Sequence, residues 1–180
     1  LPAAVGLYIL AIPISDLLYG VPEAGLPLKA MAPAVFFLGL YQVTSGVLQG
    51  LGKTIVPVRH LVLSSILKVG LNYLLVVQPA FGIQGAGIAT GVTFAVAAGL
   101  NLLSLRRLLC YNPPWVLILL KPGLAVTIMA VFVNLTYERW QIALGSGHLA
   151  TLLVVLLAGI IYGLGILLSG GLGRRDLEMI

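Results

Sequence analysis

The stretch VGLNYLLVVQPAFGIQGAGIATGVTFAVAAGLNLLSL, residues 69–105, contains no Asp, Glu, Lys or Arg. A buried strand of a soluble sheet runs only about 4–8 residues, so an apolar run of this length calls for a different solvent. Working outward, residues 30–52 and 140–173 are equally free of those four residue types. Across all 180 residues the chain is 60% hydrophobic and 8% charged, with a mean hydropathy of +1.12. Soluble domains carry roughly 25% charged residues, so a water-soluble globular fold is excluded.

A bilayer core about 30 Å thick takes about 20 apolar residues per helical span. Proline, glycine and charge divide the chain into six such segments: Leu1–Leu18, Pro27–Gly50, Ile55–Gln78, Ile83–Leu105, Trp115–Tyr137 and His148–Leu168. A membrane barrel would show strands of alternating polarity about ten residues long, and none is present. The expected fold is therefore an all-α, polytopic membrane protein of six transmembrane helices. The chain opens on Leu1 without the basic region and cleavage site of a signal peptide, and is read as a fragment.

Lys and Arg concentrate on the cytoplasmic side of membrane proteins. Placing Leu1 inside puts Lys53, Arg59, Arg106, Arg107, Lys121, Arg174 and Arg175 there, against Lys29 and Arg139 outside. The start of the chain and the tail GRRDLEMI are then both cytoplasmic. The net charge of +5 is spread over helix ends and lacks the clustered basic face that nucleic acid requires, so no nucleic-acid partner is expected. Membrane lipids are the expected surroundings.

Three prolines, Pro13, Pro33 and Pro122, fall inside or near the starts of spans, where each removes a backbone hydrogen bond and can bend the helix. The glycine pairs Gly46/Gly50, Gly87/Gly91 and Gly159/Gly163 are spaced for close helix contact.

Several segments imitate chemical motifs and fail on spacing. GVLQGLGKTIVP lacks the first glycine of a nucleotide-binding P-loop, since Val47 stands there, and it follows a helix rather than a strand. It reads as a helix end at Gly50 and Gly52, with Lys53 anchored among headgroups. GAGIATG has the wrong final gap for a dinucleotide fingerprint and reads as a helix-packing surface. Asn134-Leu-Thr136 is a sequon at the end of a span and receives no role. The acidic set is Asp16, Glu23, Glu138, Asp176 and Glu178, and only Asp16 lies inside a span. With so few carboxylates, isolated histidines and a lone Cys110, no enzymatic activity, metal site or cofactor is expected.

The third span carries the polar signal. His60, Ser64, Lys68 and Asn72 recur every four residues, about 40° apart per step, so they share one side of a helix otherwise built of Leu, Ile and Val. Lys68 lies roughly 20 Å along that helix from Ile55, too deep for its ammonium to reach either headgroup layer easily. An ionisable group there costs at least about 2.5 kcal/mol unless it meets water or a partner, which marks it as a candidate substrate contact. A second stripe on the preceding span, Gln42, Ser45 and Gln49 beside Tyr41 and Thr44, fits either a cavity wall or interhelical hydrogen bonds.

PISDLLYG, AP-VFFLGLYQVTSGVLQGLGKTIVP, ILKVGLNYLLV-QPAFGIQGAGIAT and the tail RRDLEMI together resemble the carboxy-terminal part of the stage V sporulation protein B and MurJ-like lipid flippases. These belong to the superfamily of multidrug, oligosaccharidyl-lipid and polysaccharide exporters. The resemblance implies two six-helix lobes around a central cavity, followed by an extra helix pair. Residues 1–105 would be the last four helices of the second lobe; residues 106–180 would be a cytoplasmic loop, the extra pair and a short tail. The missing amino-terminal lobe of the same polypeptide would complete the cavity. By the same resemblance, the extra pair forms a groove for a lipid tail, and the implied activity is the flipping of a lipid-linked oligosaccharide such as an undecaprenyl-pyrophosphate peptidoglycan precursor across the plasma membrane. The alternatives are a cation-coupled multidrug exporter of the same superfamily and a non-transporting membrane scaffold subunit.

Overall fold

The computed structural model describes residues 1–79, 81–109, 115–144 and 147–168. Cys110, Arg174, Arg175 and the tail lie outside these residues. Among the described residues six α-helices follow one another: α1 Pro2–Tyr19, α2 Gly25–Gly50, α3 Ile55–Val76, α4 Gly82–Leu109, α5 Trp115–Leu144 and α6 Gly147–Leu168. A 3₁₀ turn at Pro22–Ala24 joins α1 to α2. No strand occurs among the described residues. Five segments are long and apolar enough to cross a membrane, namely Pro2–Tyr19, Pro22–Gly50, Ile55–Val76, Gly82–Leu109 and His148–Ile166, while α5 adds the shorter apolar stretch Pro122–Tyr137. The chain is an all-α, polytopic membrane protein, and each expected span coincides with one helix to within a few residues, except that α5 runs on to Leu144.

Helix ends follow local rules. At the end of α2, Gly52 adopts φ 76°, its N–H donates to the Gln49 carbonyl at 2.9 Å, and the Lys53 N–H donates to the Leu48 carbonyl at 2.9 Å. This is the Schellman arrangement, which needs a residue without Cβ in the left-handed region. Both amides are thereby committed to helix carbonyls. Helix α1 stops at Gly20, φ 66°, whose N–H donates to the Asp16 carbonyl. Pro13, Pro33 and Pro122 are each accommodated inside a continuous helix.

The helices form two compact units, residues 1–25 with 114–180 and residues 26–113. In the first, α1 packs against α5 and α6. The second consists of α2, α3 and α4. The division at 105/106 drawn from the resemblance separates lobe from extra pair, whereas packing groups α1 with the last two helices.

In the first unit Leu10, Met129, Val133, Val154 and Ala158 make a continuous buried cluster, with Val5, Ile9, Ile14, Tyr137 and Tyr162 against it. In the second unit the backbones come closer. A Cβ on Gly85 would lie 2.8 Å from the Leu75 carbonyl carbon on α3, and one on Gly87 would lie 2.9 Å from Met31 Cγ on α2. Gly91 faces Ala34 at 3.7 Å. The GAGIATG segment is thus the packing surface expected of it. The glycine pairs Gly46/Gly50 and Gly159/Gly163 behave differently, since a Cβ on any of them would meet nothing within 4 Å. Four-residue spacing permits close contact, and the rotation of the helix decides whether that face meets a neighbour. In the first unit Gly165 takes the close-contact role, 3.2 Å from the Ala125 Cβ.

Candidate functional site

The polar residues of the second unit converge near the end where α2 finishes, α3 begins and α4 finishes. Asn101 on α4 is 0% exposed and bonds to two other helices. Its amide nitrogen donates to Ser45 Oγ at 2.9 Å and Thr44 Oγ1 at 3.2 Å, both on α2. Its Oδ1 lies 2.8 Å from His60 Nδ1 on α3. The directions of these bonds follow from the donors available. The Thr44 hydroxyl proton is directed to its own helix, toward the carbonyls of Leu40 at 2.8 Å and Tyr41 at 3.0 Å. Thr44 Oγ1 therefore accepts from the Asn101 amide, Asn101 Oδ1 is left as the acceptor, and His60 must donate through Nδ1–H. One buried asparagine thereby ties three helices together.

Tyr41 adds a second tie. Its hydroxyl donates to the Pro57 carbonyl at 3.4 Å and its ring lies 6.1 Å from that of Phe94, tilted by 43°. Pro57 is buried within α3.

The structure separates the residues of the two sequence stripes into four groups. His60 and Ser45 join the Asn101 node. Ser64 is fully buried and donates its hydroxyl to the His60 carbonyl at 2.8 Å, closing a bond within its own helix. Gln42 and Gln49 are exposed. Lys68 and Asn72 continue down α3, away from the node: eight residues separate His60 from Lys68, about 12 Å along the axis. Lys68 is half-buried, and Asn72 Oδ1, one turn further, is buried without a hydrogen-bond partner. Leaving a buried acceptor unsatisfied costs about 1–3 kcal/mol.

Asn101 is the residue that stripe reasoning on a single helix misses. Its signal in the sequence is being a carboxamide inside the charge-free run 69–105. Nothing in that run says which partners it meets.

At the node's end of this unit, Lys53, Arg59, Arg106 and Arg107 are all exposed, while Lys29 sits in the second turn of α2 at the opposite end. In the first unit, α1, α5 and α6 line an apolar cavity of about 350 Å³ whose walls include Gly6, Leu7, Leu10, Met129, Val155 and Tyr162. A metal-binding cluster of His, Cys, Asp or Glu does not occur among the described residues.

Comparison with known proteins adds a family likeness to this geometry. Residues 5–74 match the MatE family model. The match covers α1, α2 and nearly all of α3, including Lys68 and Asn72. The chain is also similar to the uncharacterized membrane protein YabM of Bacillus subtilis (strain 168), 36% identical over 105 residues, which is 58% of this chain and 19% of that protein. The chain thus spans about a fifth of that relative's length. No solved structure matches it.

Proposed function

We propose that this chain is part of a flippase that moves a lipid-linked oligosaccharide, of the undecaprenyl-pyrophosphate type used for peptidoglycan, across the plasma membrane by alternating access. The supporting observation is the deep polar pair on α3: a half-buried Lys68 followed one turn later by the unsatisfied acceptor of Asn72. Cation and acceptor side by side suit a headgroup that carries both phosphate charge and hydroxyl donors. Such a headgroup cannot cross hydrocarbon unaided, whereas its tail can stay in an apolar environment. In this reading His60, Ser64, Ser45, Gln42 and Gln49 belong to the cavity wall or its supports, and the protein performs no covalent chemistry. With the basic ends of α3 and α4 toward the cytoplasm, outward movement of one negative charge gains about 2.3 kcal/mol per 100 mV of inside-negative potential.

The MatE match supports a second reading equally, a cation-coupled multidrug exporter. The test is flipping of a lipid-linked sugar precursor by the full-length protein in liposomes, native against Lys68→Ala at matched folding. Flipping by the native protein that falls at least tenfold in the variant supports the flippase reading and the role of Lys68. Absence of flipping by the native protein, together with ion-gradient-driven ethidium export, overturns it in favour of the exporter.

A further inference from the structure

Asp16 is the carboxylate of the first span, and neither the node nor the α3 pair uses it. It is half-buried and lines, with Ile12, Pro13, Pro22 and Tyr137, a cavity of about 300 Å³ in the first unit. The walls are held by identifiable contacts. The αL residue Gly20 turns the chain at the end of α1, and the Ser15 hydroxyl pins the returning strand of chain by donating to the Val21 carbonyl at 2.8 Å. Gly25 then lies so close to α1 that a Cβ there would approach Ile12 Cα to 2.6 Å. These constraints place Pro22 over the end of α1. Tyr137 on α5 is braced by the buried cluster around Leu10 and Met129.

The chemistry of this cavity is one-sided. Pro13 and Pro22 have no N–H to offer. Two neighbouring donors are committed elsewhere, Ser15 O–H to Val21 and the Gly20 N–H to the Asp16 carbonyl. What remains is an acceptor-only carboxylate, a phenol that can donate or accept, and apolar walls, a setting that suits a compact cation with several N–H donors. A tyrosine ring adds attraction for such a cation. Its position points to the source: Asp16 is three residues from the end of a membrane-length helix, and the neighbouring Ile12, Leu18, Tyr19 and Val21 are exposed apolar side chains of the kind that meet acyl chains and the headgroup layer.

We propose that this cavity seats the primary ammonium group of an aminophospholipid, with the Asp16 carboxylate accepting its N–H donors and Tyr137 covering it. The proposal does not depend on the transport reading.

The test is native mass spectrometry of the full-length protein released from nanodiscs containing equal amounts of phosphatidylethanolamine, phosphatidylcholine and phosphatidylglycerol. Phosphatidylethanolamine should be retained severalfold over both others, since the choline headgroup has no N–H. Asp16→Asn, close in shape, should lower that retention about tenfold, the weight of a charged hydrogen bond. Tyr137→Leu should lower it about threefold, with Tyr137→Phe retaining most of it. Thermal unfolding of each variant confirms that the fold persists. Equal retention of the three lipids by the native protein, or unchanged preference in Asp16→Asn, overturns the proposal. Saturable binding of soluble ethanolamine without lipid preference overturns the assignment to a lipid.

Discussion

The first unit buries Leu10, Met129, Val133, Val154 and Ala158 in one continuous cluster, whereas the hydrophobic residues buried in α2–α4 are Ala32, Ala34, Leu48, Ala89, Ala97 and Ala98. In one, leucine, methionine and valine side chains pack among buried alanines, and in the other small residues bring backbones together around a buried asparagine. In a bilayer, lipid tails are as apolar as leucine, so helix association relies on packing and on interhelical hydrogen bonds rather than on escape from water. The two units use these two means in different proportions. The difference matters for function, because directional bonds fix rotation and register at His60, Thr44, Ser45 and Asn101, while an apolar contact surface tolerates repacking and leaves room for a cavity.

The largest effect that would sharpen this comparison is Leu10→Ala. Removing a buried leucine from the interlocked cluster should destabilise the first unit by about 3 kcal/mol, read from unfolding of the full-length protein in mixed detergent–SDS micelles. Next, Asn101→Leu removes three interhelical bonds and should cost about 2 kcal/mol by the same measurement. Adding His60→Leu to that variant should then cost much less than His60→Leu alone, as coupling through one bond requires. Additive losses would break the account of unit two as a hydrogen-bonded node. Smaller still, Gly52→Ala forces a Cβ into the left-handed region and should cost about 1 kcal/mol. Gly46→Ala faces open space and should leave stability unchanged or raise it by up to about 1 kcal/mol, marking that glycine as no part of the packing that Gly85 and Gly87 provide.

Much of the fold was legible from the chain alone because its causes are local. Length and lack of charge demand helices of bilayer length, and each of the six spans became one helix. The GLGK turn was legible because a glycine in the left-handed region ends a helix whatever surrounds it. Close packing at Gly87 was foreseen correctly, but Gly46, Gly50, Gly159 and Gly163 share its spacing and meet nothing within 4 Å. Spacing records which residues share a face, and leaves open what that face meets.

The candidate site divides along the same line. The polar stripe of α3 is a property of one helix, so His60, Ser64, Lys68 and Asn72 could be listed from periodicity. That His60 would bond to Asn101, 41 positions away, and that Ser64 would turn back to its own backbone, depend on the rotation of α3 against α4.

By itself, then, the sequence determined an all-α membrane chain, its six helices, five of them long and apolar enough to cross a membrane, and the turn at Gly52, since each follows from the solvation and backbone preferences of neighbouring residues. Only the tertiary structure decided that α1 packs with α5 and α6, that Asn101 joins α2, α3 and α4, and that Asp16 shares a cavity with Tyr137. Those outcomes rest on which helix faces meet, and that is set by complementary shape and hydrogen-bond direction between segments far apart in the chain.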